Sequence, residues 1–231
     1  MKPHVIHTNS FVADAVNVIR ESAQRAIEQR RIFRIALSGG NTPRPIYSAL
    51  ASEMGEDFPW NAVQVTFGDE RCVPPDDAQS NYRMAKESLL DAVPIPAENV
   101  FRMKGDLPPD EAAAEYDAQL SHLAKETGDP RYIHDLLLLG LGDDGHTASL
   151  FPDTDALRET EKNVVANFVP KFSTHRLSFT FPLINAARHV CFLVQGKSKV
   201  PIVEAILRGG SGFPAESVKP SNGELTWLLG F

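Results

Sequence analysis

The sequence predicts an α/β protein: a mainly parallel sheet with helices on both faces and a small extra lobe near residues 150–180. Three observations carry that prediction. Short apolar runs alternate with stretches of helical periodicity from Phe11 to Leu229, the pattern of strand–helix–strand units. One run, Asp135-Leu136-Leu137-Leu138-Leu139-Gly140-Leu141-Gly142, is apolar at successive positions, as expected of a strand buried on both faces within a parallel sheet. The first run and this one end in polar, glycine-rich turns, and the carboxyl ends of strands are where open α/β sheets bind ligands.

Taken in order, Phe11, Val12, Ala15, Val16, Ile19, Ala23, Ala26 and Ile27 recur at helical spacing, with Asn9 or Ser10 as the cap. Ile32–Leu37 is the first strand, and Pro43 or Pro45 suits the start of the next helix. Val63–Phe67 is the second strand, followed at its carboxyl end by Gly68-Asp69-Glu70-Arg71. Ser80-Asn81 can cap a helix through Leu90, and Asp110 to Glu126 is amphipathic. After the apolar strand come further strands at Val164–Phe168, Arg176–Phe181, His189–Gln195 and Leu225–Leu229. Lys197 to Leu207 reads as a helix with Pro201 in or near its first turn. No repeat, low-complexity tract or linker divides the chain, so one domain over residues 1–231 is expected.

A chain of 231 residues with ordinary apolar content can bury a core without disulfides or metals. The net charge of −7 lacks the basic surplus that non-specific nucleic-acid binding needs, so no nucleic-acid partner is expected. Cys72 and Cys191 show neither a disulfide framework nor metal-ligand spacing. The amino terminus has no apolar segment of a signal peptide, and no apolar run reaches the ~18 residues of a membrane span. A cytoplasmic setting follows as the expectation. A monomer or weak homodimer is expected as well.

Two turns and one arginine carry the candidate chemistry. In Ser38-Gly39-Gly40-Asn41-Thr42-Pro43, paired glycines can turn their N–H groups toward a ligand, hydroxyls stand alongside, and a helix begins. This suits a phosphate; an ordinary strand-to-helix turn is the plainer alternative. Neither the P-loop nor the dinucleotide fingerprint is present, so no nucleotide cofactor is expected. In Gly140-Leu141-Gly142-Asp143-Asp144-Gly145-His146-Thr147, one histidine follows two carboxylates. An imidazole exchanges protons near neutral pH, and a neighbouring aspartate can fix its tautomer; a satisfied structural histidine is the alternative. Too few His or Cys lie nearby for a metal site. Arg71 can clamp an oxyanion or phosphate, or else pair internally with Asp69 or Glu70. Arg176 is a second candidate anion ligand.

Together these stretches resemble the 6-phosphogluconolactonase family. The resemblance runs through Leu37–Pro43, Phe67-Gly68-Asp69-Glu70-Arg71-Cys72-Val73-Pro74, Ser80–Ala85, Gly140–Pro152 and Arg176–Ala187, in family order. It implies a Rossmann-like sheet and hydrolysis of 6-phospho-D-glucono-1,5-lactone to 6-phosphogluconate in the oxidative pentose phosphate pathway, without metal or organic cofactor. The partner so implied is a small phosphorylated sugar lactone. His146 then takes the proton from the attacking water, Asp144 or Asp143 orients it, and Arg71 stabilises the oxyanion or holds the substrate. Ser38, Gly39, Gly40, Asn41 and Thr42 hold the phosphate, with Arg44, Arg176 and Lys199 as further candidates. The alternatives are an enzyme like glucosamine-6-phosphate deaminase and a non-catalytic sugar-phosphate sensor. The deaminases resemble this chain in the glycine turn and the Asp-Gly-His loop. They carry an acidic residue in an FNEP-like stretch where Ser149-Leu150-Phe151-Pro152 stands here, and Tyr in place of Arg71.

Overall fold

The computed structural model describes residues 2–55 and 57–231. Its main sheet has six parallel strands: β1 (His4–His7), β2 (Phe33–Leu37), β3 (Val63–Phe67), β5 (Leu136–Leu139), β8 (His189–Gln195) and β9 (Glu224–Gly230), in the spatial order β1-β9-β8-β5-β2-β3. A second sheet of three antiparallel strands, β4 (Asp69–Arg71), β6 (Val164–Val169) and β7 (Thr174–Phe179), is ordered β4-β7-β6. This is the small lobe: β6 and β7 fall within residues 150–180, where the sequence places it, while β4 joins them from Asp69–Arg71, outside that range.

The helices are α1 (Phe11–Arg30), α2 (Pro43–Met54), α3 (Asn81–Ser88), α4 (Pro109–Thr127), α5 (Phe181–Ile184) and α6 (Val200–Arg208). They cover both faces of the main sheet. Because side chains alternate along a strand, β5 gives Leu136 and Leu138 to one apolar layer and Leu137 and Leu139 to the other. The first layer holds α1, α2 and Trp60. The second holds α4, α6 and Trp227, whose ring stacks on Phe192 at 4.0 Å. Val164, Leu177 and Phe179 of the lobe belong to that second layer.

The structure corrects several expectations. Ser10 occupies the N-cap position of α1, but its side chain makes no cap bond. The Thr8 hydroxyl accepts from the Ser10 N–H instead and bonds Asp14. Ser80 does cap α3, accepting from the Arg83 N–H, and α3 stops at Ser88. β7 ends at Phe179 rather than Phe181, since Pro182 lies in the first turn of α5. Lys197–Lys199 forms a separate tight turn before α6. Asp69–Arg71, which the sequence places only as the segment following the second strand, is itself a short strand of the lobe. Gly68 makes the change of sheet: its N–H donates to Leu37 O at 3.0 Å in the main sheet, and its carbonyl accepts from Phe179 N at 2.9 Å in the lobe.

Candidate active site

From β2 the chain steps outward to β3, whereas from β5 it steps the other way to β8. Loops leaving two such neighbours diverge and open a crevice at the carboxyl edge. A cleft of about 230 Å³ lies there, lined by Ser38–Pro43, Asp69, Arg71, Asn81, Gly140–Gly142, His146–Ala148, Leu193–Gln195 and Lys199. The glycine turn, Arg71, His146 and Lys199, far apart in the chain, therefore share one cavity.

The first turn is built for close approach. Tyr47 pins it from below: its hydroxyl accepts from the Ser38 N–H and donates to the Ser38 carbonyl, both at 2.9 Å. The Ser38 N–H is thus spent on Tyr47, and the donors offered to a ligand begin at Gly39. A Cβ on Gly39 would sit 1.9 Å from Asn81 Oδ1, so no side chain fits between turn and amide. Asn81 is buried, and its Nδ2 donates to the carbonyl and carboxylate of Asp69 at 2.9 and 3.1 Å. Sequence reasoning treated Asn81 only as a helix-start residue and Asp69 only as a partner for Arg71. Both line the cleft, and the contact that joins them spans twelve residues of chain.

On β4, alternation sends Asp69 and Arg71 to the cleft and Glu70 inward. Glu70 accepts from the backbone N–H groups of Arg71, Asn81 and Tyr82 and from the Ser80 hydroxyl, at 2.7–3.0 Å. Burial pushes its carboxyl up, and those hydrogen bonds oppose the rise. Neither Asp69 nor Glu70 forms an ion pair with the Arg71 guanidinium, which donates instead to the Gln79 carbonyl. Arg176 is the direct cross-strand neighbour of Arg71. Burial, and then the like charge of Arg71, weaken its hold on its proton. The Nε atoms of both arginines are buried without a partner among the described residues. Two adjacent cations with unused donors call for an anion.

The histidine loop resolves the choice between its aspartates. Asp144 Oδ1 bonds His146 Nδ1, while Asp143 turns away to Lys199 at 2.5 Å. With Nδ1 engaged, Nε2 is the nitrogen left for chemistry. Partial burial tends to raise the Asp144 carboxyl, but hydrogen bonds from Lys171 and His146 outweigh it and hold the group well below the usual carboxylate range. Phe151 stacks on the imidazole with ring centroids 3.9 Å apart. Gly142 lies directly against the ring, and a Cβ there would come within 2.0 Å of His146 Nδ1.

The remaining candidates divide. Lys199 lines the cleft. Arg44 does not: its position in the first turn of α2 turns it outward, half exposed, to Glu87 at 3.6 Å. Arg176 lies outside the lining, beside Arg71, with its guanidinium 5.3 Å over Phe172. The Ser149 hydroxyl donates to Asp69 at 2.7 Å and is no free nucleophile. His134 is fully buried against Thr66, and burial pushes its imidazole down to about 3, a structural role. Among the described residues, no group of three or more His, Cys, Asp or Glu is arranged to hold a metal ion, and no helix is long and apolar enough to cross a membrane.

Comparison with known proteins gives a consistent answer. The family described as "Glucosamine-6-phosphate isomerases/6-phosphogluconolactonase" matches residues 7–227. A Synechocystis protein named 6-phosphogluconolactonase is 40% identical over 236 residues, covering 99% of this chain and 96% of its own. A Nostoc protein of the same name is 38% identical over 224 residues, covering 95% and 91%. Among solved structures, that of 6-phosphogluconolactonase from Thermotoga maritima superposes with a TM-score of 0.86 at 29% identity, covering 99% of this chain and all of the other.

Proposed function

Because the chain belongs to the glucosamine-6-phosphate isomerase/6-phosphogluconolactonase family, we propose that it hydrolyses 6-phospho-D-glucono-1,5-lactone to 6-phosphogluconate, the lactone-opening step of the oxidative pentose phosphate pathway, with His146 as the base. The observation that carries this reading is the single cleft holding a phosphate-suited glycine turn, an imidazole whose Nδ1 is held by Asp144 and an arginine with no ion-pair partner among the described residues.

Nε2 of His146 removes a proton from water as the water oxygen bonds to C1. Charge gathers on the C1 oxygen, where Arg71, reinforced by Arg176, offsets it. The bond from C1 to the ring oxygen then breaks, and the imidazolium returns its proton to that oxygen. Asp144 keeps the ring oriented throughout. The N–H groups from Gly39 onward, the Asn41 and Thr42 side chains and Lys199 hold the distant phosphate. General-base help is worth about 10²–10⁴-fold and one oxyanion donor roughly 10²–10³-fold, enough for a lactone already prone to hydrolysis. Two free thiols, Cys72 and Cys191, support a reducing, cytoplasmic setting. The shared apolar layer supports action as one domain, and a monomer or weak homodimer is the assembly we expect.

The test is a coupled assay on freshly generated 6-phosphogluconolactone. Wild type accelerates ring opening over the uncatalysed rate, and His146→Ala lowers kcat/KM by about two or more orders of magnitude with the fold intact. Near-normal turnover in that variant removes His146 from the chemistry. Glucosamine 6-phosphate releases no ammonia, because an apolar ring, Phe151, covers the imidazole where the deaminase pattern carries a carboxylate.

A further inference from the structure

The lobe reaches the imidazole by two routes, both starting from the turn Pro170–Phe172 between β6 and β7. Lys171 Nζ lies 2.8 Å from Asp144 Oδ2, while Asp144 Oδ1 bonds His146 Nδ1. Next to it, Phe172 meets Phe151 edge-on at 5.7 Å, and Phe151 is the ring stacked on His146. Charge and packing from one surface turn thus converge on one side chain.

We infer that Lys171 is a positioning residue for the reaction, a cation supplied by the lobe that occupies the second oxygen of Asp144 and thereby keeps His146 ready to accept a proton. The inference rests on the hydrolytic reading above. A carboxylate beside an imidazole favours the imidazolium, the form that cannot accept a proton. A cation on the other carboxylate oxygen takes up part of that charge. Asp144 keeps its place without Lys171, because the His146 backbone N–H also donates to Oδ1 at 3.3 Å. Losing Lys171 therefore removes charge rather than the dyad contact.

The other charges around the ring do not substitute for it. Asp143 is answered by Lys199 at 2.5 Å. Arg71 and Asp69 face the ring from β4 across the cleft, and Arg176 packs over Phe172. Of the cations among the described residues, Lys171 is the one that bonds Asp144. That bond also raises the proton affinity of the Lys171 ammonium, so the cation persists through the working pH range.

The experiment compares wild type, Lys171→Met and Lys171→Arg by the pH profile of kcat/KM on 6-phosphogluconolactone, and by NMR titration of the His146 imidazole. Lys171 is half exposed, with a side-chain accessibility of 55%, so its field is screened. The acid limb of Lys171→Met moves to higher pH by about half a unit, and the displacement shrinks in high salt. Lys171→Arg restores the wild-type limb, and the His146 resonance of Lys171→Met shows the same upward displacement. Superimposable limbs and superimposable titrations in wild type and Lys171→Met would overturn the inference. A wild-type protein without lactonase activity would instead sink the hydrolytic reading, and the NMR comparison would still decide whether Lys171 sets the state of the imidazole.

Discussion

At the scale of single residues, two glycines of the cleft do different jobs. Gly142 has no room for a side chain, because the His146 ring fills the space where a Cβ would go. Gly40 has open space but a φ of +94°, a conformation that L side chains resist. Gly142→Ala should displace the imidazole and cost at least tenfold in kcat/KM, with little change in melting temperature. Gly40→Ala should lower stability by about 1 kcal/mol; steady-state kinetics and thermal melts separate the two. Asp144 makes a pH prediction with a definite sign. Its folded-state carboxyl is held below the ordinary value of 3.8. Its stabilisation is therefore complete above that value and is lost as the pH falls toward the lower folded-state one. Asp144→Asn should melt earlier than wild type at pH 7, and the gap should close in strong acid. The residue types of the site were legible because glycine pairs, a lone histidine and an arginine at strand ends have few uses there. Their pairings were not: Asp144 rather than Asp143, and Asn81 against Gly39, depend on backbone directions that residue order leaves open. Arg44 sits next to the right turn but leaves the helix on its outer side.

Among the elements, the short strand β4 organises more than its length suggests. Glu70 gathers the start of α3 and the backbone of Arg71 onto one carboxylate, so strand and helix are fixed as a unit while Asp69 and Arg71 face the cleft. Glu70→Ala would strand those buried donors and should destabilise the fold by roughly 3 kcal/mol, measured by denaturant titration. The strands that hydrophobic runs announce were readable, β5 above all. Two were not. β4 has three polar residues and owes its extended form to pairing with β7, more than a hundred residues later in the chain. β1, four residues with histidines at both ends, pairs with β9 from the opposite end of the sequence. Neither contains enough apolar periodicity to declare itself.

For the molecule as a whole, stability centres on β5, which is buried on both faces between β2 and β8. Leu138→Ala should cost about 2–5 kcal/mol and shift the denaturation midpoint without changing the slope. The fold class was legible because alternating strands and helices admit few arrangements. The strand order, and with it the crevice between β2 and β5, was not, since it is set by long-range crossovers.

The two apolar layers also differ in what light they return. The chain has two tryptophans, and each layer holds one: Trp60 on the side of α1 and α2, Trp227 on the side of α4 and α6. Variants keeping a single indole would make each side its own fluorophore. Two emission traces recorded against denaturant would then show whether the faces of the sheet dissolve in one event or let go in turn.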